Sequence, residues 1–293
     1  VLGAQGNVWT EYIPTPKQVE YMVFPRILAM SEVVWSNQAQ KDYKEFASRV
    51  EHFHRRLDAL NINYANHLYE IEGKLVSNES EISYQLETSS LGKNIYYTLD
   101  GSEPTINSEV YNNQIPITKN TKIKAAVFDS ENKLGDIFSQ YITLHKAVGK
   151  TISINKALNK SYPGSGSDGL VNGISGSDSR YGDKEWLGFS GEDIEIHIDL
   201  GEETDISSII TRFHNGNGQW IYAPKQLFIS YDDNKKSLIT IPTSQELLVP
   251  INISKKGRTR TIKISIPNYG FISEGKQGAG NKAWTFIDEI IIN

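Results

Sequence analysis

Residues suited to chemistry fall in two places along this chain. Near its start, Trp9 and Glu11 stand two apart in the run Gly-Asn-Val-Trp-Thr-Glu-Tyr. On an extended segment alternate side chains point the same way, so the indole and the carboxylate share one face and Thr10 takes the other. A core aromatic and a solvated charge are the plainer alternatives. Far downstream, loops between Tyr162 and Tyr181, from His214 to Trp220 and from Asn268 to Gln277 carry Tyr181, His214, Trp220, Tyr269 and Phe271. Aromatics beside polar donors build concave carbohydrate sites, and these five are candidates for such a rim. The same aromatics also suit a β-sandwich core.

Other chemistries are excluded by composition or spacing. Cysteine is absent, which removes disulfides, thiolate metal sites and cysteine nucleophiles together. His52 and His54 are two apart on a helical pattern and so point about 200° apart, which prevents both from serving one metal on one face. Formal net charge is −5 with no dense Lys/Arg cluster, so the footprint that holds a phosphate backbone is missing and nucleic acid is not expected as a partner. No apolar run approaches the roughly 18 residues of a membrane-spanning helix, so no membrane span is expected.

The elements that position these residues divide the chain into three. The first part opens on a short Gly-containing strand at Val1–Trp9, and a lone strand cannot satisfy its backbone groups, which implies further chain before Val1. Thr15-Pro16-Lys17-Gln18 is a helix start: a Thr cap, Pro at the first helical position, Gln three residues after the cap. Pro25 interrupts the apolar series Val19, Val23, Ile27, Met30, Val34 and predicts two helical pieces. From Lys41 to Leu60 apolar residues step by three and four, predicting a helix that Asn61 closes. After about residue 75 short β-rich runs follow, at 82–86, 95–99, 123–128 and 140–144, with Asp100-Gly101 as a hairpin-turn dipeptide. A Gly/Ser/Asp-rich stretch from Tyr162 to Gly182 precedes strands at 193–200, 207–213, 226–231, 259–266 and 285–292, a spacing that predicts an all-β sandwich. The predicted domains are 1–74, 75–147 and 148–293.

Gly3-Ala4-Gln5-Gly6-Asn7-Val8-Trp9-Thr10-Glu11-Tyr12, followed by Phe24-Pro25-Arg26-Ile27-Leu28-Ala29-Met30-Ser31-Glu32-Val33-Val34-Trp35, resembles the last strand and helix of the catalytic (β/α)₈ barrel of family 20 glycoside hydrolases. The run Tyr97 to Thr105, with Ser108, Tyr111 and Pro116-Ile117, resembles the small immunoglobulin-like domain that follows the barrel in chitobiases and hexosaminidases. Leu170-Val171-Asn172-Gly173, Trp186 to Phe189, Ile198 to Gly201, Trp220 to Pro224 and Gly278 to Ile290 resemble the discoidin-like, galactose-binding-type jelly roll of family 32 carbohydrate-binding modules. The fold class implied is mixed: the helical end of a (β/α)₈ barrel, then two all-β sandwiches.

By this resemblance the parent protein is an exo-β-N-acetylhexosaminidase with a retaining, substrate-assisted mechanism, acting on glycans that end in N-acetylhexosamine. Trp9 is implied as a wall of the sugar pocket, and Glu11 as an acceptor for hydroxyls remote from the anomeric carbon, with Tyr12 at the edge. Catalysis in that family uses a neighbouring Asp-Glu pair on an earlier strand and no cofactor. The only Asp-Glu dipeptide here is Asp288-Glu289 in the closing strand, so no hydrolysis is expected from these residues alone. Relatives of the last segment hold a structural calcium ion, for which Asn172, Ser175, Asp178 and Glu289 are the oxygen ligands expected here, with Asn172 where Asp is common. The resemblance also implies a secreted, periplasmic or cell-surface location. The alternative is a non-enzymatic carbohydrate-binding or adhesion protein.

Overall fold

The computed structural model describes residues 3–78, 81–232 and 234–293. Residues 3–9 have no regular structure, and a 3₁₀ turn, Thr10–Tyr12, follows. The strand expected over Val1–Trp9 is not formed in its described part, while Val1 and Leu2 lie outside the described residues. A strand exists through lateral hydrogen bonds, and no described segment pairs with this one.

The helices follow their local signals. α1 (Pro16–Val23) starts where the Thr15 side chain accepts a hydrogen bond from the Gln18 N–H. Pro25 separates it from α2 (Arg26–Trp35), because a proline inside the helix would forfeit a backbone donor and clash with the preceding turn. α3 (Tyr43–Ala59) is capped by Asp42, whose carboxylate accepts from the Glu45 N–H, and buries Ala47, Val50, His54 and Leu57 along one face. Asn61 leaves it in the left-handed conformation, at φ 54°. Among the described residues no helix is long and apolar enough to cross a membrane.

Strands β1 (Ile71–Ser77), β2 (Ile82–Thr88), β3 (Asn94–Thr98), β4 (Glu109–Val110), β5 (Ile115–Pro116), β6 (Thr121–Asp129) and β7 (Asn132–Ile142) come next. They form a three-stranded sheet ordered β1-β2-β5 and a four-stranded sheet ordered β4-β3-β6-β7. Asp100 does turn the chain, accepting from the Ser102 N–H and hydroxyl ahead of Gly101 at φ 82°. It closes no tight hairpin, since β3 meets its next partner only at Glu109.

The chain packs as two compact units, one of Val1–Lys74, Tyr84–Ile115 and Lys122–Gln140, the other of Leu75–Ser83, Pro116–Thr121 and Tyr141–Asn293. The second holds β8 (Thr151–Ile154), β9 (Leu187–Ser190), β10 (Ile194–His214), β11 (Gln226–Tyr231), β12 (Ser237–Thr240), β13 (Leu248–Ile266), β14 (Trp284–Ile287) and β15 (Ile291–Ile292). Their order is β12-β11-β13-β10-β14-β9, with β8 and β15 also on β10. Facing pairs Ile194 and Ile266, Ile196 and Ile264, Ile198 and Ile262 are all buried in one core. Burying such a side chain is worth about 1.5–3 kcal/mol, so these rows fix the register.

The two strands expected at 193–200 and 207–213 are one long bent strand. Its buried positions run even through Ile194, Ile196, Ile198, Leu200 and Ile206, then odd through Ile209, Thr211 and Phe213. The switch falls where the pairing jumps from Ile206 with Gly257 to Ser208 with Ser254. β13 carries one extra residue at that jump, and β10 carries three extra between Asp199 and Thr204. Each odd insertion reverses which faces of the two strands oppose one another, so β10 continues while its buried side changes.

Candidate functional site

Trp9 is 75% exposed, and Glu11 is exposed within the 3₁₀ turn. Side chains do not alternate in that geometry, so the shared face expected of an extended segment is not how this turn presents them.

The loops at the far end of β10 divide the five candidate rim residues. His214 ends that strand, is 2% exposed, and neither ring nitrogen has a hydrogen-bond partner. Its ring lies edge-on to Tyr181 at 5.4 Å and to Trp186 at 5.5 Å. Burial, and next the Arg212 charge, hold its pKa below the ordinary histidine value, so it is a neutral core imidazole. Tyr181 packs on Phe286 at 5.2 Å and on Tyr162 at 5.8 Å. These two residues belong to an aromatic layer beneath the loops, not to an open rim.

The other three face outward to different degrees. Phe271 is 67% exposed and Trp220 is 38% exposed, with Trp220 in the left-handed conformation. A Cβ at Gly278 would sit 2.5 Å from the Trp220 Nε1, so the 278 backbone lies directly on that indole. Tyr269 is already engaged: its ring lies tilted at 31° to that of Tyr222 with the centroids 4.7 Å apart, and the Lys225 ammonium stands 4.3 Å from its centroid.

Beside Tyr269 opens a cavity of about 260 Å³, close to the lower end of the range for small-ligand sites. Asn217, Tyr222, Lys225, Thr243, Tyr269 and Lys276 are among its lining residues. Asn215 ties its walls together, with Nδ2 donating to the Ser244 and Glu246 carbonyls and Oδ1 accepting from the Ala223 N–H. The Ile241 N–H to Lys225 carbonyl bond adds a fourth tie. Of the lining residues only Tyr269 was expected from sequence. Nothing in the local pattern marks Lys225 or Lys276, because lysines on polar loops are ordinary surface residues until the fold brings them together.

The four residues expected to hold calcium do not fit that ion as a set. Asp178 pairs with Arg212 at 2.5 Å, and a guanidinium already neutralises it. Asn172 spends its carbonyl oxygen on the Ile174 N–H and its amide on Glu185. Ser175 is exposed. Glu289 accepts from His145 Nε2 at 2.7 Å and from the Gly173 N–H at 3.0 Å, leaving one buried oxygen without a partner. Among the described residues no three His, Cys, Asp or Glu side chains are grouped to hold a metal. Asp288 accepts from Arg212 Nε and the Gly176 N–H. The Asp288-Glu289 pair is therefore a buried brace for the 172–178 loop.

Comparison with known proteins gives the following. Residues 1–38 match the glycosyl hydrolase family 20 catalytic domain, and residues 76–139 match the chitobiase/β-hexosaminidase C-terminal domain. A β-hexosaminidase of Porphyromonas gingivalis is 31% identical over 142 residues, 47% of this chain and 18% of that protein. One from Vibrio vulnificus is 41% identical over 68 residues, 22% of this chain and 8% of that protein. The matched regions thus span less than a fifth of these curated relatives. A Streptococcus pneumoniae fucose binding module aligns over 56% of this chain and 97% of its own, at 14% identity and a TM-score of 0.34. A chitosan-binding module from a Paenibacillus chitosanase/glucanase aligns over 51% of this chain and 98% of its own, at 10% identity and a TM-score of 0.32. With the tail of a family 20 catalytic domain followed by a chitobiase/β-hexosaminidase C-terminal domain, the chain is related to the β-hexosaminidases.

Proposed function

We propose that these residues are the C-terminal portion of a β-N-acetylhexosaminidase that removes terminal N-acetylhexosamine from glycans, and that the last sandwich is an accessory sugar-binding part. The observation that carries this reading is the succession, in one chain, of the family 20 match at 1–38 and the chitobiase-type match at 76–139. The reaction class is retaining and substrate-assisted: the 2-acetamido carbonyl attacks the anomeric carbon while an acid protonates the leaving oxygen, a scheme apart from the two-carboxylate one. Trp9 walls the sugar pocket, and Glu11 accepts hydrogen bonds from hydroxyls away from the reacting carbon. A carboxylate suits that task because it offers only acceptor sites. Both are binding residues, and the domain boundaries follow as 1–74, 75–147 and 148–293. Polymeric and cell-surface glycans lie outside the cytoplasm, which supports a secreted, periplasmic or surface location.

The test is Glu11→Ala in a polypeptide in which these residues complete a family 20 barrel. Losing a hydrogen bond to a charged group lowers turnover of an aryl N-acetylglucosaminide about 10–150-fold. Turnover equal to that of the parent would overturn the pocket role.

A further inference from the structure

Building on the reading of the last sandwich as a sugar-binding part, we infer that its 260 Å³ cavity takes a sugar bearing an anionic group, a carboxylate or a sulfate, in preference to a neutral hexose. Charge is the first ground. Lys225 and Lys276 line the cavity, no Asp or Glu does, and neither lysine has an ion-pair partner among the described residues. Two unneutralised ammonium groups on one small concavity of a chain with net charge −5 make a local reversal of sign, and an anion is the complementary occupant.

Unmet hydrogen-bonding groups are the second ground. Tyr222 is 6% exposed and its hydroxyl has no partner, and the buried Asn217 Oδ1 has none either. Both residues line the cavity. A buried polar group without a partner costs free energy, so a site with orphaned groups favours a ligand that supplies the missing partners. A phenol donates well to an anionic oxygen, and an amide oxygen accepts from a hydroxyl. Neither atom has accessible surface, so a ligand meets them only after the lining side chains turn. Once met, the phenol takes an anionic acceptor and the amide oxygen a hydroxyl, and an acidic sugar carries both.

The aromatic ground points the same way by elimination. Tyr269 would be the stacking surface for a neutral hexose, but Tyr222 and the Lys225 ammonium already engage its ring. Recognition is left to charge and hydrogen bonds. The Asn215 ties hold the walls in place before any ligand arrives, which lowers the ordering cost of binding.

Calorimetry on the full chain at low ionic strength tests this with galacturonic acid, glucuronic acid and N-acetylgalactosamine 6-sulfate, against galactose, N-acetylgalactosamine and inorganic sulfate. The acidic sugars are expected to bind about tenfold tighter than the neutral ones, with the advantage shrinking as salt is added. Lys225→Gln and Lys276→Gln replace exposed side chains, so the fold should persist, with Lys225→Gln losing only the ammonium contact to Tyr269. Each is expected to remove most of the acidic preference and leave neutral sugars unaffected. Equal binding of acidic and neutral sugars, unchanged in both variants, overturns the anionic inference and keeps the sugar-binding reading. Inorganic sulfate binding as tightly as the acidic sugars overturns the sugar part for this cavity. Binding of none of the probes overturns both.

Discussion

Glu185 shows what burial does to a single carboxyl in this molecule. Its pKa is pushed up to about 7, first by desolvation, with the Asn172 amide bond pulling the other way and the charges of Asp183 and Glu289 adding to the rise. The folded state thus keeps a proton that the unfolded chain releases near the ordinary glutamate value. Stability falls as pH rises through the window from the unfolded value to about 7, and above 7 the fold carries the ionised group at full cost. Glu185→Gln cannot ionise and keeps a polar partner for Asn172. The variant is expected to gain about 1–3 kcal/mol over the parent at pH 8 and to lose that advantage by pH 5. Urea unfolding at the two pH values measures it, and a gap that does not change with pH contradicts the assignment. Asp288, pushed up to about 6 by burial that outweighs Arg212, titrates in both proteins and cancels in the comparison. The same environment explains which site residues were legible in sequence. His214 and Tyr181 have loop-like neighbours in the chain, yet β10 carries His214 into the aromatic layer, and no local pattern distinguishes a loop aromatic from a core one. Tyr222 read only as part of the Trp220 to Pro224 resemblance, because the loss of its hydroxyl's partner is a property of packing.

Elements were legible where their signal is local. The Thr15 cap, the Pro25 break and the period of α3 are written within a few residues, and all three helices form where those residues predict. Signals that need a distant partner were misread: the expected N-terminal strand lacks one among the described residues, and β10 reads as two strands until the bulge is seen. Short strands such as β9 and β12 are too brief for alternation to stand out. The 269–283 loop, which borders the cavity, depends on both kinds of constraint, and two glycines separate them. Gly278 and Gly280 share φ 82°, but a Cβ meets the Trp220 indole at 2.5 Å only at 278, while at 280 nothing lies within 4 Å. Gly280→Ala therefore bears only the backbone cost of a left-handed alanine, about 1 kcal/mol. Gly278→Ala bears that and the displacement of a rigid indole, and is expected to cost roughly 1–2 kcal/mol more. Thermal unfolding of the two variants side by side checks this, and equal losses would mean that the indole does not rest on the 278 backbone.

At the scale of the whole molecule the question is whether these 293 residues contain a complete reaction centre. Glycoside cleavage needs an acid placed at the leaving oxygen, and the substrate-assisted route also needs a carboxylate beside the acetamido group. Such paired carboxyls must reach a ligand-sized space. Asp288-Glu289, the only adjacent pair in that order, fails this on geometry: Asp288 is 0% and Glu289 2% exposed, one bonded to Arg212 and the other to His145. The cavity beside Tyr269 has lysines and neutral polar groups on its walls and no carboxyl to act as acid. Trp9 and Glu11 bring an indole and one carboxylate on an exposed turn, and under the proposed reading they hold a sugar while the acid comes from elsewhere. The chain is therefore expected to give no turnover of an aryl N-acetylglucosaminide above the buffer rate, while sugar binding by the last sandwich is measurable in the same preparation. Turnover that co-purifies with the chain and disappears in Glu11→Ala would show that the N-terminal turn assembles an active centre by itself, and would reverse the division of labour between binding here and chemistry elsewhere.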